Sequence, residues 1–430
     1  MKKFITIILA LSLLHTGASA QWYLYPGGRN EEKQEQTEAE RQTQPQKQTR
    51  PERRQTRQEQ APEESVREPL RQLPENRTET GGRNSWFSEP LFGRQSGVSV
   101  TLALPIGAGS EKPNANFLEM YSGALLALKD LGDEGVKVRL KLVDTASGAG
   151  LTREDVNGSD LVIGPVSYNE MLTALTLCDN GKVLVSPLDP KTAKLAETSG
   201  IIQAPASWTS QIDELVEWVQ EDLRPEDQLI VVADPDSAGR GEQYRYLLDR
   251  LHGKVLDFRT VSSVSAIDFI EGRTCRMLIA SDSDSFLTGT ARAAAIEAAR
   301  NRDIILYSTS RIRSTIGSNV NDLHNTRTRL TAAYYIDYGS QKVKDFILSY
   351  RALFKGEPGS FAFQGYDTIH YFVKACHDYG RNWARRLPEF PEKGLQSDFR
   401  FNRRQGDGKL NVAVRRVVYN SDLTTSLVQD

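Results

Sequence analysis

Cysteine and histidine are scarce in this chain. The 430 residues contain three cysteines, Cys178, Cys275 and Cys376, and five histidines. No two cysteines lie close in sequence and no two histidines are spaced i, i+4, which argues against a zinc site. Cys376 and His377 are neighbours on a predicted helix and point to different faces, so they do not form a catalytic dyad as they stand. Three free, buried thiols are the simplest expectation.

Motifs of the common enzyme classes are also missing. The chain has no glycine-lysine phosphate loop, no zinc-protease His-Glu pair and no nucleophile elbow. The segment 107–109 lacks the third glycine of a dinucleotide fingerprint. The segment 234–239 resembles the start of a calcium loop, but Pro235 is unsuitable and Arg245 replaces the bidentate glutamate. We therefore expect a protein that is not an enzyme and that binds neither a metal nor a cofactor.

Only the N-terminus carries the pattern of an export signal. Met1 to Lys3 is basic, Phe4 to Leu14 is apolar, and Ala18 to Ala20 has small residues. This pattern predicts a signal peptide, residues 1–20, cleaved after Ala20. No cysteine lies at the cleavage site to accept a lipid, and no later segment approaches the roughly 20 apolar residues of a spanning helix. We expect a periplasmic location without a lipid anchor.

Apolar residues are absent from a long stretch that follows. Between Arg29 and Ser65 there is no Val, Ile, Leu, Met or aromatic residue. Such a composition cannot bury a core, so residues 21–95 are predicted to form a disordered tether rich in Gln, Glu and Arg. An aromatic cluster, Gln21 to Pro26, precedes it. This cluster is a docking peptide for a partner, a remnant beside the cleavage site, or a segment that packs back on the domain.

From Ser96 onward short β-branched runs alternate with helical stretches. This alternation is typical of βαβ units around parallel sheets. More than 300 residues of it exceed one comfortable sheet, so the fold class is predicted to be α/β with two Rossmann-like lobes. The cleft between the lobes is the default ligand site.

Short polar loops follow several of the predicted strands. Gly164 to Tyr168 leads into a helix, where backbone N–H groups can seat a carboxylate. Ser186 to Asp189 follows the next strand, and Asp189 can meet an ammonium group. The two loops form a pair suited to a zwitterion, although helix capping without any ligand is the alternative. Ser281 to Ser285 also either caps a helix or contacts a ligand.

The chain resembles the type I periplasmic binding proteins of the branched-chain amino-acid kind. It is especially similar to a Bacteroidetes branch related to versions fused to LysM repeats, although no LysM repeat is recognisable here. The resemblance spans about residues 98 to 420 and is carried by strings in register: Phe117 to Leu128, Leu142 to Thr145, Asp160 to Val166, Val185 to Pro187, Phe363 to Asp367, Leu395 to Phe401 and Val414 to Tyr419.

The resemblance implies two lobes joined by three crossings, near residues 206, 336 and 393. Lobe 1 would comprise residues 96–206 and 336–392, and lobe 2 residues 207–335 and 393–430. Gln364, Gly365 and Asp367 would be structural, with Gly365 and Tyr366 shaping a helix start. The ligand-facing positions implied are the loop near Ile106 and Ser167, Tyr168, Ser186, Leu188, Asp189, Ser237, Asp282 and Tyr335.

Two functions remain open from the sequence. The first is a solute-binding protein that captures a small polar ligand, such as an amino acid or peptide, for an inner-membrane transporter or a receptor. The second is an envelope scaffold or regulator of cell-wall synthesis that reuses the fold and meets an envelope protein through the tether. The net charge of -2 gives no basic surface for nucleic acid, so no such partner is expected.

Overall fold

The computed structural model describes residues 97–428 apart from positions 149, 198, 255–256, 317–318 and 403–407. The predicted signal peptide, tether and aromatic N-terminal cluster lie outside these residues. Within the described part of the chain, no helix is long and apolar enough to cross a membrane. Cys178, Cys275 and Cys376 all have free thiols.

The first sheet has six parallel strands in the order β13-β5-β4-β3-β1-β2. Its buried β-branched residues make the centre of the sheet inaccessible on both faces, as a parallel sheet requires. The strands are β1 (Val98–Leu104), β2 (Val138–Asp144), β3 (Leu161–Ile163), β4 (Leu184–Ser186), β5 (Ile201–Gln203) and β13 (Lys409–Leu410).

The second sheet has seven strands in the order β15-β14-β10-β9-β8-β6-β7. β6 to β10 are parallel, whereas β14 and β15 close one edge in antiparallel pairing. The strands are β6 (Gln228–Ala233), β7 (Arg259–Val261), β8 (Cys275–Ala280), β9 (Ile304–Thr309), β10 (Arg329–Ala332), β14 (Arg415–Tyr419) and β15 (Thr425–Leu427). A separate hairpin pairs β11 (Glu392–Lys393) with β12 (Asp398–Phe399).

Helices connect these strands, and several begin at a side chain that accepts a backbone N–H. Asn114, Thr152, Ser167 and Ser207 are such caps, which satisfy donors that the helix itself cannot use. The α-helices are α1 (Ala115–Asp133), α2 (Arg153–Asn157), α3 (Tyr168–Leu175), α4 (Ala193–Ala196), α5 (Trp208–Asp222), α6 (Glu242–Gly253), α7 (Asp284–Ala299), α8 (Arg311–Ile316), α9 (Val320–Asn325), α10 (Gln341–Phe354), α11 (Ser360–Tyr379) and α12 (Trp383–Arg386).

Helices α1 and α11 pack against each other at glycine residues. A Cβ atom at Gly123 would lie 1.8 Å from the carbonyl oxygen of Ala362, and one at Gly365 would lie 1.9 Å from that of Met120. The expectation that Gly365 and Tyr366 shape a helix start was therefore wrong. Both lie inside α11, which begins at Ser360, and Gly365 lets the two backbones touch.

The chain passes between the sheets at residues 204–207, 333–340 and 411–414. The third passage was predicted near residue 393, and this was wrong because β13 still pairs with β5 in the first sheet. Residues 409–410 therefore do not belong with the second sheet, whereas β14 and β15 do.

The second and third passages are joined by a buried polar cluster that we call the hinge hub (Gln364, Asp367, Gln396, Ser397 and Arg415). The carboxylate of Asp367, on α11, accepts the amides of Leu395, Gln396 and Ser397 at 2.7 to 2.9 Å. Burial raises the pKa of Asp367 to about 6, although these amides act in the opposite direction. Gln364 accepts from the side chain of Gln396 at 2.9 Å. The first-sheet helix α11 thus holds the turn of the β11-β12 hairpin.

Arg415, the first residue of β14 in the second sheet, binds the same turn. Its guanidinium donates to the carbonyl groups of Tyr335, Gly394 and Leu395 and to the carboxylate of Asp398, the last at 2.6 Å. The turn 394–397 is therefore bonded to both sheets, and a change in their relative orientation must break or rearrange buried hydrogen bonds.

Candidate functional site

The loop after β1 is held by a carboxylate of the neighbouring strand. Asp144, the last residue of β2, accepts the amides of Ile106, Gly107 and Ala108 at 3.0, 2.9 and 2.7 Å. Burial opposes ionisation, but these N–H donors together with that of Ala146 lower the pKa of Asp144. The backbone donors near Ile106, where the resemblance implies ligand contacts, are thus occupied by the chain itself.

The loops after β3 and β4 are joined in the same manner. Ser167 accepts the Glu170 amide and caps α3, and the Glu170 carboxylate accepts the Ser167 amide in return. Asp189 accepts the amide of Tyr168 at 2.9 Å and that of Lys191 at 2.9 Å. The two loops lie together, as the sequence predicts, but Tyr168 and Asp189 bind each other through a hydrogen bond.

The other two predicted positions on the first sheet are directed into the protein. Ser186 is fully buried and accepts the hydroxyl of Thr192 at 2.8 Å. Leu188 is half-buried and packs against the core of the first sheet. That any of these first-sheet residues binds a ligand stays a prediction.

On the second sheet, Asp282 caps a helix other than the one that follows it. Its carboxylate accepts the amides of Gln243 at 3.2 Å and Tyr244 at 2.7 Å, at the start of α6. Ser283 caps α7 by accepting the amide of Phe286 at 3.4 Å. Of the two roles left open for 281–285, helix capping is therefore observed.

Ser237 and Tyr335 lie in different surroundings. Ser237 is exposed and begins a short 3-10 turn, Ser237–Gly239, whose cap is Asp236. Tyr335 is half-buried against the core of the second sheet, its amide donates to the Gln396 carbonyl at 2.9 Å, and the Arg313 guanidinium lies 5.1 Å from its ring centre. Tyr335 therefore belongs to the passage between the sheets.

A cavity of about 520 Å³ lies beside the carboxyl ends of β6, β7 and β8, and we call it the crevice. Its volume falls within the roughly 300 to 1,000 Å³ typical of sites for small ligands. We call the segment 234–239, which supplies two carboxylates, the polar wall of the crevice, and Val264, Phe286, Gly289 and Ala293 its apolar wall. The lining residues are Asp234, Pro235, Asp236, Ala238, Gly239, Ser263, Val264, Ser283, Ser285, Phe286, Gly289, Thr290 and Ala293.

The topology of the second sheet explains why a cavity lies here. The chain leaves β6 for α6 and β7 on one side and leaves β8 for α7 and β9 on the other, so β6 and β8 flank a point where the strand order reverses. Ligands of open α/β sheets bind at such points. In addition, the connection 262–274 from β7 to β8 contains a single 3-10 turn, Val264–Ala266, and no α-helix of its own.

The polar wall of the crevice is fixed by hydrogen bonds. Asp234 is buried and accepts the Ser281 hydroxyl at 2.6 Å and the Asp236 amide at 2.9 Å. A Cβ atom at Gly239 would lie 1.9 Å from the Asp234 carboxylate, so glycine is required for the turn to close over it. In the described residues no group of three His, Cys, Asp or Glu side chains is arranged to hold a metal.

Sequence reasoning missed most of the crevice. The sequence suggests Asp234 and Asp236 only as calcium ligands and gives no reason to single out Phe286 and Gly289. A usable signal is the short connection between two predicted strands, Val255 to Thr260 and Arg276 to Ala280, in which the sequence predicts no helix. A parallel crossover without its helix leaves part of the sheet uncovered.

No family model and no curated protein sequence matches the chain. Among solved structures, a putative branched-chain amino acid ABC transporter protein from Rhodospirillum rubrum matches 77% of this chain and 100% of its own, with a TM-score of 0.55 and 16% identity. The LpoA C-domain from Haemophilus influenzae, a regulator of PBP1A, matches 77% and 100%, with a TM-score of 0.47 and 13% identity. An ABC transporter substrate-binding protein from Desulfitobacterium hafniense, complexed with Leu, matches 77% and 99%, with a TM-score of 0.46 and 16% identity.

The Rhodospirillum rubrum structure establishes the fold class. This chain has the fold of the type I periplasmic binding proteins, with one parallel and one mostly parallel sheet connected through helices, and the predicted α/β fold class is confirmed. The placement in a Bacteroidetes branch related to LysM-fused proteins stays a prediction.

Proposed function

We propose that this chain is an exported, periplasmic solute-binding protein that captures a small polar ligand for transport or sensing, in a crevice whose lining residues all belong to the second of its two lobes. The observation that carries the proposal is the crevice, a ligand-sized cavity with one polar and one apolar wall at the reversal point of the second sheet. Among the described residues, the proposed first lobe comprises 97–206 and 336–410, and the proposed second lobe comprises 207–335 and 411–428. The protein binds its ligand and does not transform it.

A second candidate is an envelope scaffold or regulator of cell-wall synthesis that binds a protein and no small ligand. One observation favours it: Ser167, Asp189 and Asp282, which were expected to face a ligand, are engaged in capping. Under this reading the fold supplies a rigid surface, and the hinge hub fixes the orientation of the two sheets.

A thermal-shift screen of the full chain distinguishes the two functions. Amino acids, short peptides, sugars, muropeptides and aliphatic amines would each be tested, because a ligand at about 100 times its Kd stabilises the folded state by about 2.7 kcal/mol. If the chain binds a solute, compounds of one chemical class should raise its Tm. The absence of a shift for every class would overturn solute binding and favour the scaffold.

The same screen on two glycine variants locates any ligand that is found. Gly289→Leu places a side chain at the crevice, and its Cβ meets no atom within 4 Å. Gly132→Leu is the matched control, because Gly132 also lies on a helix with open space around its Cβ but does not line the crevice. The shift should disappear in Gly289→Leu and persist in Gly132→Leu.

A further inference from the structure

Backbone N–H groups at the carboxyl edges of both sheets are already paired with carboxylates of the chain. Asp144 occupies the donors of 106–108, Asp189 those of Tyr168 and Lys191, and Asp282 those at the start of α6. Convergent N–H groups at such edges are the usual seat for a ligand carboxylate or phosphate. Here a ligand anion would have to displace a carboxylate that is covalently part of the protein and already in place.

The crevice itself offers acceptors and carries negative charge. The charged side chains that line it are Asp234 and Asp236. Asp234 is bonded by two neutral donors, and Asp236 accepts the amide of Ala238 at 3.1 Å. Two carboxylates have about eight acceptor positions, so these three bonds leave capacity for further donors.

No arginine, lysine or histidine lines the crevice, and the two arginines that donate to the segments beside its carboxylates are engaged there. The Arg240 guanidinium donates to the main-chain carbonyl of Asp234 at 2.8 Å and lies 5.9 Å from the ring centre of Tyr244. Arg311 pairs with the carboxylate of Asp284 at 2.7 Å. Neither arginine lines the crevice, so a ligand carboxylate inside it would face Asp234 and Asp236 without a cation beside it.

The apolar wall of the crevice determines which ligand body can bind beside the carboxylates. Val264, Phe286 and Ala293 present apolar surface, and Gly289 leaves space between them. A cation that binds here buries a short apolar body against this wall while its donors reach the carboxylates and the hydroxyl groups of Ser263, Ser283 and Ser285.

From these two features we infer that the crevice binds an organic cation, an ammonium group attached to a short apolar body, and not a molecule with a carboxylate. The inference rests on the proposed solute-binding function and names its ligand class. It departs from the zwitterion expected from the sequence, because the presumed carboxylate seat at Gly164 to Tyr168 is filled by Asp189 and Glu170.

Three probes with one carbon skeleton test the ligand class by titration calorimetry on the full chain. Leucine carries both charges, 3-methylbutylamine is leucine without its carboxylate, and 4-methylpentanoate is leucine without its amine. The amine should bind at least tenfold more tightly than either of the other two. Binding of leucine or of the acid as tight as that of the amine would overturn the inference, as would a failure of the amine to bind.

Matched variants place the charge recognition at the crevice. Asp236→Asn keeps an oxygen for the Ala238 amide and removes one charge, and it should weaken amine binding by roughly tenfold. Asp249→Asn, on the exposed face of α6 and outside the crevice lining, removes the same charge and should leave the affinity unchanged. Equal weakening by both variants would assign the preference to the net charge of the protein and overturn a specific site.

The failure of this inference is distinguishable from failure of the proposed function. If leucine or the acid binds and its binding is lost in Gly289→Leu, the crevice is a solute site and only the cationic ligand class is wrong. If no probe and no compound of the wider screen binds, both the ligand class and the solute-binding function are wrong.

Discussion

Substitution of Gly365 by alanine tests the packing that holds the first sheet's two longest helices together. A Cβ at this position lies 1.9 Å from the Met120 carbonyl oxygen, whereas real Cβ contacts are essentially never shorter than 3.0 Å, so α1 and α11 must separate locally by at least 1.1 Å. A gap of 0.5 to 1 Å already forfeits about a quarter to a half of each dispersion contact. We expect a destabilisation of about 3 kcal/mol, the upper end for overpacking.

Differential scanning calorimetry of the full chain measures this effect. For about 320 described residues, at about 2.1 cal/mol/K of unfolding entropy per residue, about 3 kcal/mol corresponds to a decrease in Tm of roughly 4 to 5 °C. Gly132→Ala is the control on the same helix α1, where a Cβ meets no atom within 4 Å, and it should stabilise the protein by about 0.5 to 1 kcal/mol. A Tm for Gly365→Ala equal to that of the unmodified chain would refute the contact between the two backbones.

Three further predictions concern buried polar groups and are measured by urea unfolding. Asp282→Ala removes the acceptor of two amides at the start of α6 and should cost about 1 to 2 kcal/mol, and an unchanged stability would mean that α6 does not need this cap. Arg415→Met leaves the carboxylate of Asp398 and three carbonyl groups without their donor and should cost about 3 to 5 kcal/mol, whereas a loss below about 1 kcal/mol would contradict the role of the hinge hub. Burial raises the pKa of Asp367 from 3.8 to about 6, so the contribution of Asp367 to stability is full below pH 4 and is lost as the pH rises to 6. The free energy of unfolding of the native chain minus that of Asp367→Asn should therefore fall between pH 4 and 6 and stay constant above pH 6. A difference that rises between pH 4 and 6 would contradict the raised pKa.

Local sequence signals were sufficient for most of the framework. The sequence predicts a strand at Val98 to Leu104 and a helix at Gln341 to Phe354, and β1 and α10 have these bounds, because a buried β-branched run and an amphipathic stretch each determine their own element. It also predicts a helix at Asp367 to Tyr379, but α11 starts seven residues earlier. Gly365 suggests a break, and its real role depends on α1, more than 200 residues away. β13 was missed because two residues carry no periodicity.

The candidate site was less predictable for a related reason. The sequence located the polar loops at the carboxyl ends of the strands, but their hydrogen-bond partners come from other strands. Asp144 holds a loop 36 to 38 positions earlier, and Asp282 caps a helix that begins 40 positions before it. Whether a carboxylate is available to a ligand therefore depends on tertiary contacts that no local pattern contains.

The central claim is that a small ligand binds in the crevice, and methyl NMR of the full chain tests it most directly. The methyl groups of Val264 and Ala293 line the crevice, whereas those of Val343 and Ala362 are buried between helices of the first sheet. Titration with 3-methylbutylamine, and separately with leucine, should shift the signals of Val264 and Ala293 in at least one titration and leave Val343 and Ala362 unchanged. Saturable shifts confined to other methyl groups, or no shift with either compound, would contradict the account.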